Sequence, residues 1–236
     1  MTEIVVSVII PTMNEEEAIG KVMDEINSAL KGMPFEVLVV DTNSKDRTRE
    51  IAAGKGARVI EEPRRGYGRA YKTGFAQAKG KYIATLDADC TYPAGDIPKF
   101  VKILETEDVD FISGDRLTNI DKEAMTFEHR MGNWGLKVAM NVLFSMKSAD
   151  SQTGMWVFRR SVLPKFNLVS DRMALSEEIK IEAAKKVNYR EISIKYTPRV
   201  GEVKLNTWQD GKDNLKFLFS KRFGKASKEK GEVFNI

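Results

Sequence analysis

Tyr82-Ile-Ala-Thr-Leu-Asp-Ala-Asp-Cys-Thr-Tyr-Pro93 is an apolar run that stops abruptly at two carboxylates, Asp87 and Asp89. Residues i and i+2 share a face while a chain stays extended, so both carboxylates can converge on one hard divalent cation at the strand end. Pro93 and Gly95 then close the strand. Mg2+ or Mn2+ held by one or two carboxylates keeps open positions, which substrate phosphates commonly fill. The same two residues also suit a simple turn cap, so the sequence around them has to decide.

Outward from this stretch, strand and helix patterns alternate. Ile4 to Ile10 is a continuous β-branched run closed by Pro11, the signature of a strand buried on both faces. Glu15 to Leu30 carries Ala18, Ile19, Val22, Ile26 and Leu30 at helical spacing, and Gly32 ends it. Phe35 to Val40 and Ala57 to Ile60 read as further strands, with a short helix over 46–53 between them. Tyr67 to Ala78 is helical, Lys81 to Leu86 is the strand feeding the acidic turn, Ile97 to Glu105 is a helix, and Val109 to Ser113 is a strand. The alternation predicts an α/β fold with a mainly parallel sheet and helices on both faces. In such sheets ligands bind outside the carboxyl ends of the strands.

The polar clusters follow that rule. Thr12-Met-Asn14-Glu15 ends the first strand, Asp41-Thr-Asn43-Ser44 the second, Asp87 and Asp89 the fourth, and Gly114-Asp115-Arg116 the fifth. Capping of the next helix explains one polar residue per loop but not several, which favours a site along this edge. Pro11-Thr-Met-Asn-Glu15 has no glycine, so the dinucleotide-binding fingerprint is missing. Gly66-Tyr-Gly68, with Arg64, Arg65 and Arg69, precedes a helix where glycines and guanidinium groups could approach phosphate.

The second half is less regular. Arg130 to Phe144 carries Met131, Trp134, Val138, Val142 and Leu143 on helical spacing, a pattern that suits either core or a lipid surface. Trp156 to Phe158 reads as a strand, Ser176 to Lys186 as a helix and Arg190 to Tyr196 as a strand. Trp208 to Phe223 closes the ordered part as a helix whose aromatics are interleaved with lysines, and Lys225 to Ile236 reads as a loose tail.

With 236 residues, 42% hydrophobic and 31% charged, the chain suits one full-sized domain with a helical appendage, divided as residues 1–205 and 206–236. No apolar run approaches the roughly 18 residues of a membrane span, and no signal region leads the sequence, so a cytoplasmic or peripheral location is expected. The single cysteine, Cys90, cannot form an internal disulfide. The net charge of +4 is concentrated late, at Lys212, Lys216, Lys221, Arg222, Lys225, Lys228 and Lys230, which suits an anionic surface. Zinc-finger spacings, aromatic-basic RNA signatures and basic recognition helices are absent from the sequence, so nucleic acid is not an expected partner.

On these residues the chain resembles family 2 glycosyltransferases, and within them the polyprenyl-phosphate sugar synthases typified by dolichyl-phosphate mannose synthase. The strings that carry the resemblance are Val8-Ile-Ile-Pro11-Thr-Met-Asn14-Glu15-Glu16, Val39-Val-Asp41-Thr-Asn-Ser44-Lys-Asp46-Arg-Thr48, Asp87-Ala-Asp89, Asp150-Ser-Gln-Thr-Gly154-Met-Trp-Val-Phe-Arg159 and Arg199-Val-Gly201-Glu-Val-Lys204-Leu205. Their order and spacing together are specific, although each is common-looking alone.

The resemblance implies a Rossmann-like GT-A fold and a nucleotide-diphosphate-sugar donor linked to GDP or UDP. Pro11, Glu15 and Asp41 stand at the family's base and ribose contacts, and Asn14, Asn43 and Arg69 are further donor-contact candidates on the same edge. Asp87 and Asp89 stand where the family holds Mg2+ or Mn2+ on the donor diphosphate. Mannose-transferring relatives often place a glutamine two residues later as another metal contact, and this chain has Thr91 there. Arg116, Arg130, Arg199 and Lys204 match basic residues that hold donor or acceptor phosphate. Asp89, Asp150 and Arg199 are the catalytic candidates.

A polyprenyl phosphate acceptor is largely a dianionic nucleophile at neutral pH, given a second pKa of about 6, and needs little help from a base. That fits a chain whose only histidine, His129, lies among Glu128, Arg130 and Met131 without evident triad partners. The expectation is an inverting transferase working at the cytoplasmic face of an anionic membrane, with a soluble or glycan acceptor as the alternative.

Overall fold

A computed structural model describes residues 3–118, 120, 125–202 and 207–224. The first half runs β1 (Val6–Thr12), α1 (Ile19–Ala29), β2 (Phe35–Asp41), α2 (Thr48–Gly54), β3 (Arg58–Glu61), α3 (Tyr67–Gln77), β4 (Tyr82–Thr85), α4 (Ile97–Thr106) and β5 (Phe111–Asp115). It continues with α5 (Phe127–Phe144), β6 (Trp156–Arg159), α6 (Leu175–Lys186), β7 (Tyr189–Ser193) and α7 (Thr207–Arg222). The seven strands form one sheet in the order β3-β2-β1-β4-β6-β5-β7.

Strand direction splits the sheet. β3, β2, β1 and β4 are parallel, and β5 is parallel to β7. Between β4 and β5 lies β6, antiparallel to both. A three-residue apolar run, Trp156 to Phe158, carries no sign of its direction, so this strand was legible as a strand but its placement was not. The chain winds outward from β1 to β3 and then returns to place β4 on β1's other side, leaving a crevice at the carboxyl ends of β1 and β4. That reversal of strand order is where open α/β sheets bind ligands.

β1 runs two residues beyond its expected end and takes in Pro11, and the register explains why. Ile9 accepts a hydrogen bond from Leu86 N on the β4 side, and Thr12 accepts one from Thr42 N on the β2 side. Backbone groups alternate sides along a strand, so residue 11 faces the β4 side, where the ladder has already stopped at Ile9 and Thr85. The amide hydrogen that proline lacks has no strand to serve there.

Alternation along the strands fills a core on each face. Val8, Ile10, Val37 and Val39 pack under α1, α2 and α4, with Val22, Ile26, Phe100 and Leu104 all buried. Ile9, Leu38 and Val40 face the other way, onto Tyr71 and Phe75 of α3 and Leu175 and Ile179 of α6. A smaller apolar cluster of Met140, Phe144, Ile181 and Leu218 fastens α7 to α5 and α6. Lys221 of α7 adds ion pairs to Glu178 (3.0 Å) and Glu182 (2.9 Å). The tail from Lys225 to Ile236 lies outside the described residues. No described helix is long and apolar enough to cross a membrane.

Candidate active site

The acidic turn follows β4 directly. Asp87 is half-buried, and its Oδ1 lies 3.3 Å from the hydroxyls of Tyr67 and Tyr71. Burial first, and the neighbouring Asp89 charge second, push the Asp87 carboxyl up to about 7, opposed by the Tyr67 hydrogen bond. Asp89 is 5% exposed and accepts from Thr91 N (3.1 Å) and Thr91 Oγ1 (2.6 Å) on Oδ1. Its Oδ2 faces Arg199 NH1 at 3.2 Å.

Arg199 arrives there because its segment is zipped to the turn. Thr197 N donates to Thr91 O (3.2 Å), Thr197 Oγ1 to Cys90 O (2.9 Å), and Val200 N to Asp89 O (2.9 Å). Arg199 NH2 also donates to Glu15 Oε1 at 2.9 Å, so one guanidinium bridges the β1 loop and the acidic turn. Its Nε–H is buried and has no hydrogen-bond partner among the described residues.

The loops after β1 and β2 hold each other. Asn14 N donates to Ser44 Oγ (2.8 Å), and Lys45 N donates to Asn14 Oδ1 (2.7 Å). Asn14 and Asn43 both adopt left-handed backbone, φ 55° and 54°, which asparagine tolerates better than most residues. Asp41 is fully buried and accepts from Thr12 Oγ1 (3.0 Å), Ser44 N (3.0 Å) and Ser44 Oγ.

Two cavities open on this edge. The larger, about 560 Å³, is lined by the β1 loop (Pro11, Thr12, Met13, Glu15), Thr42, the Arg65-Gly66-Tyr67 loop and Arg172. The smaller, about 250 Å³, lies between α5 and α7 and is lined by Arg116, His129, Asn133, Gln152, Tyr196 and Asn214, among others. Tyr67, Asp87, Asp89, Met173, Arg199 and Asp210 border both. The acidic turn and Arg199 therefore stand on the wall between the two chambers.

The floor of the smaller cavity is a buried ion pair. Arg116 Nε donates to Asp150 Oδ2 (2.7 Å) and NH2 to Oδ1 (2.9 Å), while the guanidinium lies 5.2 Å from the Tyr196 ring centre. Burial alone would raise Asp150, but the Arg116 charge and hydrogen bonds hold its carboxyl at about 2. Lys180, fully buried, donates to the Asp150 carbonyl and pairs with Glu191 at 3.0 Å. Glu191 in turn accepts from Ser148 Oγ and Ala149 N. Gln152 on the cavity wall accepts from Asn214 Nδ2 (3.0 Å) and donates to Glu177 Oε1 (2.7 Å).

Of the residues singled out in the sequence, Pro11, Glu15, Asp87, Asp89 and Arg199 border the larger cavity, and Arg116 the smaller. Asp150 stands behind Arg116. Asp41, Asn14 and Asn43 build the loops beneath the larger cavity without lining it, and Asn43 Nδ2 donates to Pro63 O. Arg69 is buried beside Glu62 (3.4 Å) and Asp171 (3.9 Å) rather than on the wall. Arg130 is exposed on α5, while its neighbour His129 lines the smaller cavity. Lys204 lies outside the described residues. Tyr67, Tyr71, Met173, Asp210 and Asn214 were not singled out for the site. Only the Gly66-Tyr-Gly68 loop offered a signal for any of them.

Comparison with known proteins agrees with this architecture. The chain matches the glycosyl transferase family 2 description over residues 7–166. It is 36% identical over 206 residues to a dolichyl-phosphate hexose transferase of Haloferax volcanii, covering 87% of this chain and 88% of the relative. It is 37% identical over 217 residues to a low-salt glycan biosynthesis hexosyltransferase of the same organism, covering 90% of this chain but 52% of that relative, so it spans about half of that protein's length. Among solved structures, glucosyl-3-phosphoglycerate synthase from Mycobacterium tuberculosis, in complex with Mn2+, UDP-glucose and glycerol 3-phosphate, superposes with a TM-score of 0.75 at 19% identity, covering 93% of this chain and 80% of that one. The chain belongs to glycosyl transferase family 2 and has the GT-A fold.

Proposed function

We propose that this glycosyltransferase moves a hexosyl group from a nucleotide-diphosphate sugar to a polyprenyl phosphate at a membrane surface. The observation that carries the reading is the pair of cavities divided by Asp87, Asp89 and Arg199. One chamber takes the donor, the other the acceptor, and the wall between them carries the groups that handle phosphate.

The larger cavity suits the donor. Pro11, Thr12, Met13 and Thr42 offer backbone and small side chains to a base and ribose, and Arg65 and Arg172 bring positive charge to the same walls. Among the described residues no group of three or more His, Cys, Asp or Glu side chains could hold a metal ion. Two neighbouring carboxylates, one of them raised by burial first and by the other's charge second, fit a cation that completes its ligand set from a diphosphate. Such a cation, Mg2+ or Mn2+, supplies Lewis-acid stabilisation of the charge that builds on the departing nucleoside diphosphate.

The smaller cavity suits the acceptor phosphate. Arg116 spends Nε and one NH2 hydrogen on Asp150 and keeps further donors, and the buried Arg199 Nε–H is a donor that an anionic oxygen would satisfy. Orientation is then the main task, because the acceptor is already a nucleophile. A phosphate oxygen forms the bond to the anomeric carbon as that carbon's bond to the diphosphate breaks, inverting its configuration, and the pair of electrons leaves with the nucleoside diphosphate.

The lipid part of the reading rests on the helices flanking the smaller cavity. α5 exposes Met131, Trp134, Val138 and Val142, α7 exposes Leu215 and Phe219, and Phe223 is exposed just past the end of α7. Lys212, Lys216 and Arg222 are exposed on the same closing helix. Apolar side chains interleaved with cations bind an anionic lipid surface through buried area plus electrostatic attraction. The curated relative named as a dolichyl-phosphate hexose transferase supports the same acceptor class.

The test gives purified protein UDP- and GDP-linked hexoses with dolichyl phosphate or a water-soluble phosphate acceptor. Lipid-extractable sugar formed only with dolichyl phosphate is the expected result. Turnover confined to the soluble acceptor would overturn the lipid assignment.

A further inference from the structure

The three hydroxyls around the acidic turn are arranged unevenly with respect to the carboxylate oxygens. Tyr67 and Tyr71 both meet Asp87 at Oδ1, and Thr91 meets Asp89 at Oδ1 through its backbone N–H and its hydroxyl. Among the described residues neither Oδ2 receives a hydroxyl, and Asp89 Oδ2 faces the Arg199 cation. We propose that Tyr67, Tyr71 and Thr91 are positioning residues that clamp one oxygen of each acidic side chain and so pre-set Asp87 Oδ2 and Asp89 Oδ2 as the pair that ligates the divalent cation. The proposal rests on the reading of Asp87 and Asp89 as metal carboxylates.

The surroundings hold the clamp rigid. The Tyr71 ring is fully buried, 5.9 Å from Phe75 and 5.3 Å from Trp156 between centroids, with Tyr67 edge-on at 4.9 Å. Its single hydroxyl proton is shared between Leu86 O and Asp87 Oδ1, both at 3.3 Å, so the phenol ties the strand end to the carboxylate. Tyr67 reaches Asp87 over Gly154, where a Cβ would stand 2.2 Å from the Tyr67 hydroxyl, so any side chain there would push the phenol away. Gly154 is itself held by Tyr92, whose hydroxyl accepts from Gly154 N at 2.7 Å.

Thr91 takes a different part from the glutamine that the resemblance leads one to expect at this position. It is 2% exposed and turned onto Asp89, so it shapes a ligand without facing the cavity. Metal sites depend on such partners, because a carboxylate whose torsions are already fixed loses less freedom on binding.

Mn2+ titrated into the protein alone, and with UDP or GDP, and followed by electron paramagnetic resonance reads the clamp without turnover. Tyr67→Phe and Thr91→Val are expected to weaken Mn2+ binding by about 10- to 100-fold with an unchanged thermal midpoint, while Thr91→Ser restores it to within about threefold of wild type. Tyr71→Phe serves as a further arm, and the other variants decide if that buried change prevents folding. Wild-type affinity in both Tyr67→Phe and Thr91→Val would overturn the clamp alone. Saturable Mn2+ binding that is absent from the wild type, or unaltered in Asp89→Asn, would overturn the metal reading and the clamp with it.

Discussion

Arg116 grips Asp150 at both ends, Nε to Oδ2 at 2.7 Å and NH2 to Oδ1 at 2.9 Å, with the acid wholly buried and the base nearly so. The pair joins the end of β5 to the loop before β6 and sets the floor of the smaller cavity.

Breaking one side strands the other. Asp150→Asn keeps the shape but leaves the buried guanidinium without its counter-charge, which is expected to cost about 3–5 kcal/mol. Urea unfolding at pH 7 measures this loss. A change below about 1 kcal/mol would mean that water already screens the pair.

Glu177 makes a stability prediction with the opposite sense. It is fully buried on α6, its Oε2 has no hydrogen-bond partner among the described residues, and burial raises its carboxyl to about 8 despite the Gln152 hydrogen bond and the Lys180 charge. The folded state therefore holds this proton more tightly than the unfolded chain, whose carboxyl has the ordinary value of 4.5. The native advantage is fullest below pH 4.5 and is lost as pH rises through 8. Glu177→Gln keeps an acceptor for Gln152 and removes the ionisation, so its stability relative to wild type should climb by roughly 3 kcal/mol between pH 4.5 and 7. Paired denaturant curves across that range check it; a flat difference would contradict the assigned burial.

The exposed apolar residues of α5, and Phe223 just past the end of α7, predict a surface effect with no folding penalty. Val142 is 74% and Phe223 66% exposed, so Val142→Glu and Phe223→Glu should leave the thermal midpoint unchanged. Each should weaken sedimentation with phosphatidylserine vesicles by about tenfold or more, the weight of one apolar side chain withheld from lipid plus an added negative charge. Vesicle binding equal to wild type would place the membrane contact elsewhere.

Much of the fold was legible in the sequence because strands covered on both faces must be continuously apolar. Val8 to Ile10, Val37 to Val40 and Ile83 to Ala84 announced themselves, and their polar loops fell on one edge as the parallel connections require. Direction and order were less legible. β6 sits between β4 and β5 because Thr85 Oγ1 donates to Gly154 O and receives Trp156 N, contacts that exist only once the sheet has formed. The site shows the same division. Asp87 and Asp89 stood out by spacing, whereas Tyr67 and Tyr71 reach Asp87 through the packing of α3, and Asp210 and Asn214 enter the cavity walls only because α7 docks on α5. Asp41 and Asn14 were conspicuous as polar residues at strand ends and Arg69 as a cation beside the Gly66-Tyr-Gly68 glycines, yet their visible partners are neighbouring loops, since one polar cluster can build a loop as readily as line a pocket.

The acidic pair between the two cavities carries the account, and one assay addresses it directly. Sugar transfer to dolichyl phosphate is followed with excess chelator, after restoring Mg2+ or Mn2+, and in Asp89→Asn. Product should disappear on chelation, return with the ion, and fall by at least about 100-fold in the variant, the weight of several kcal/mol of lost charge stabilisation. Undiminished product under full chelation and in Asp89→Asn would contradict the metal role assigned to Asp87 and Asp89.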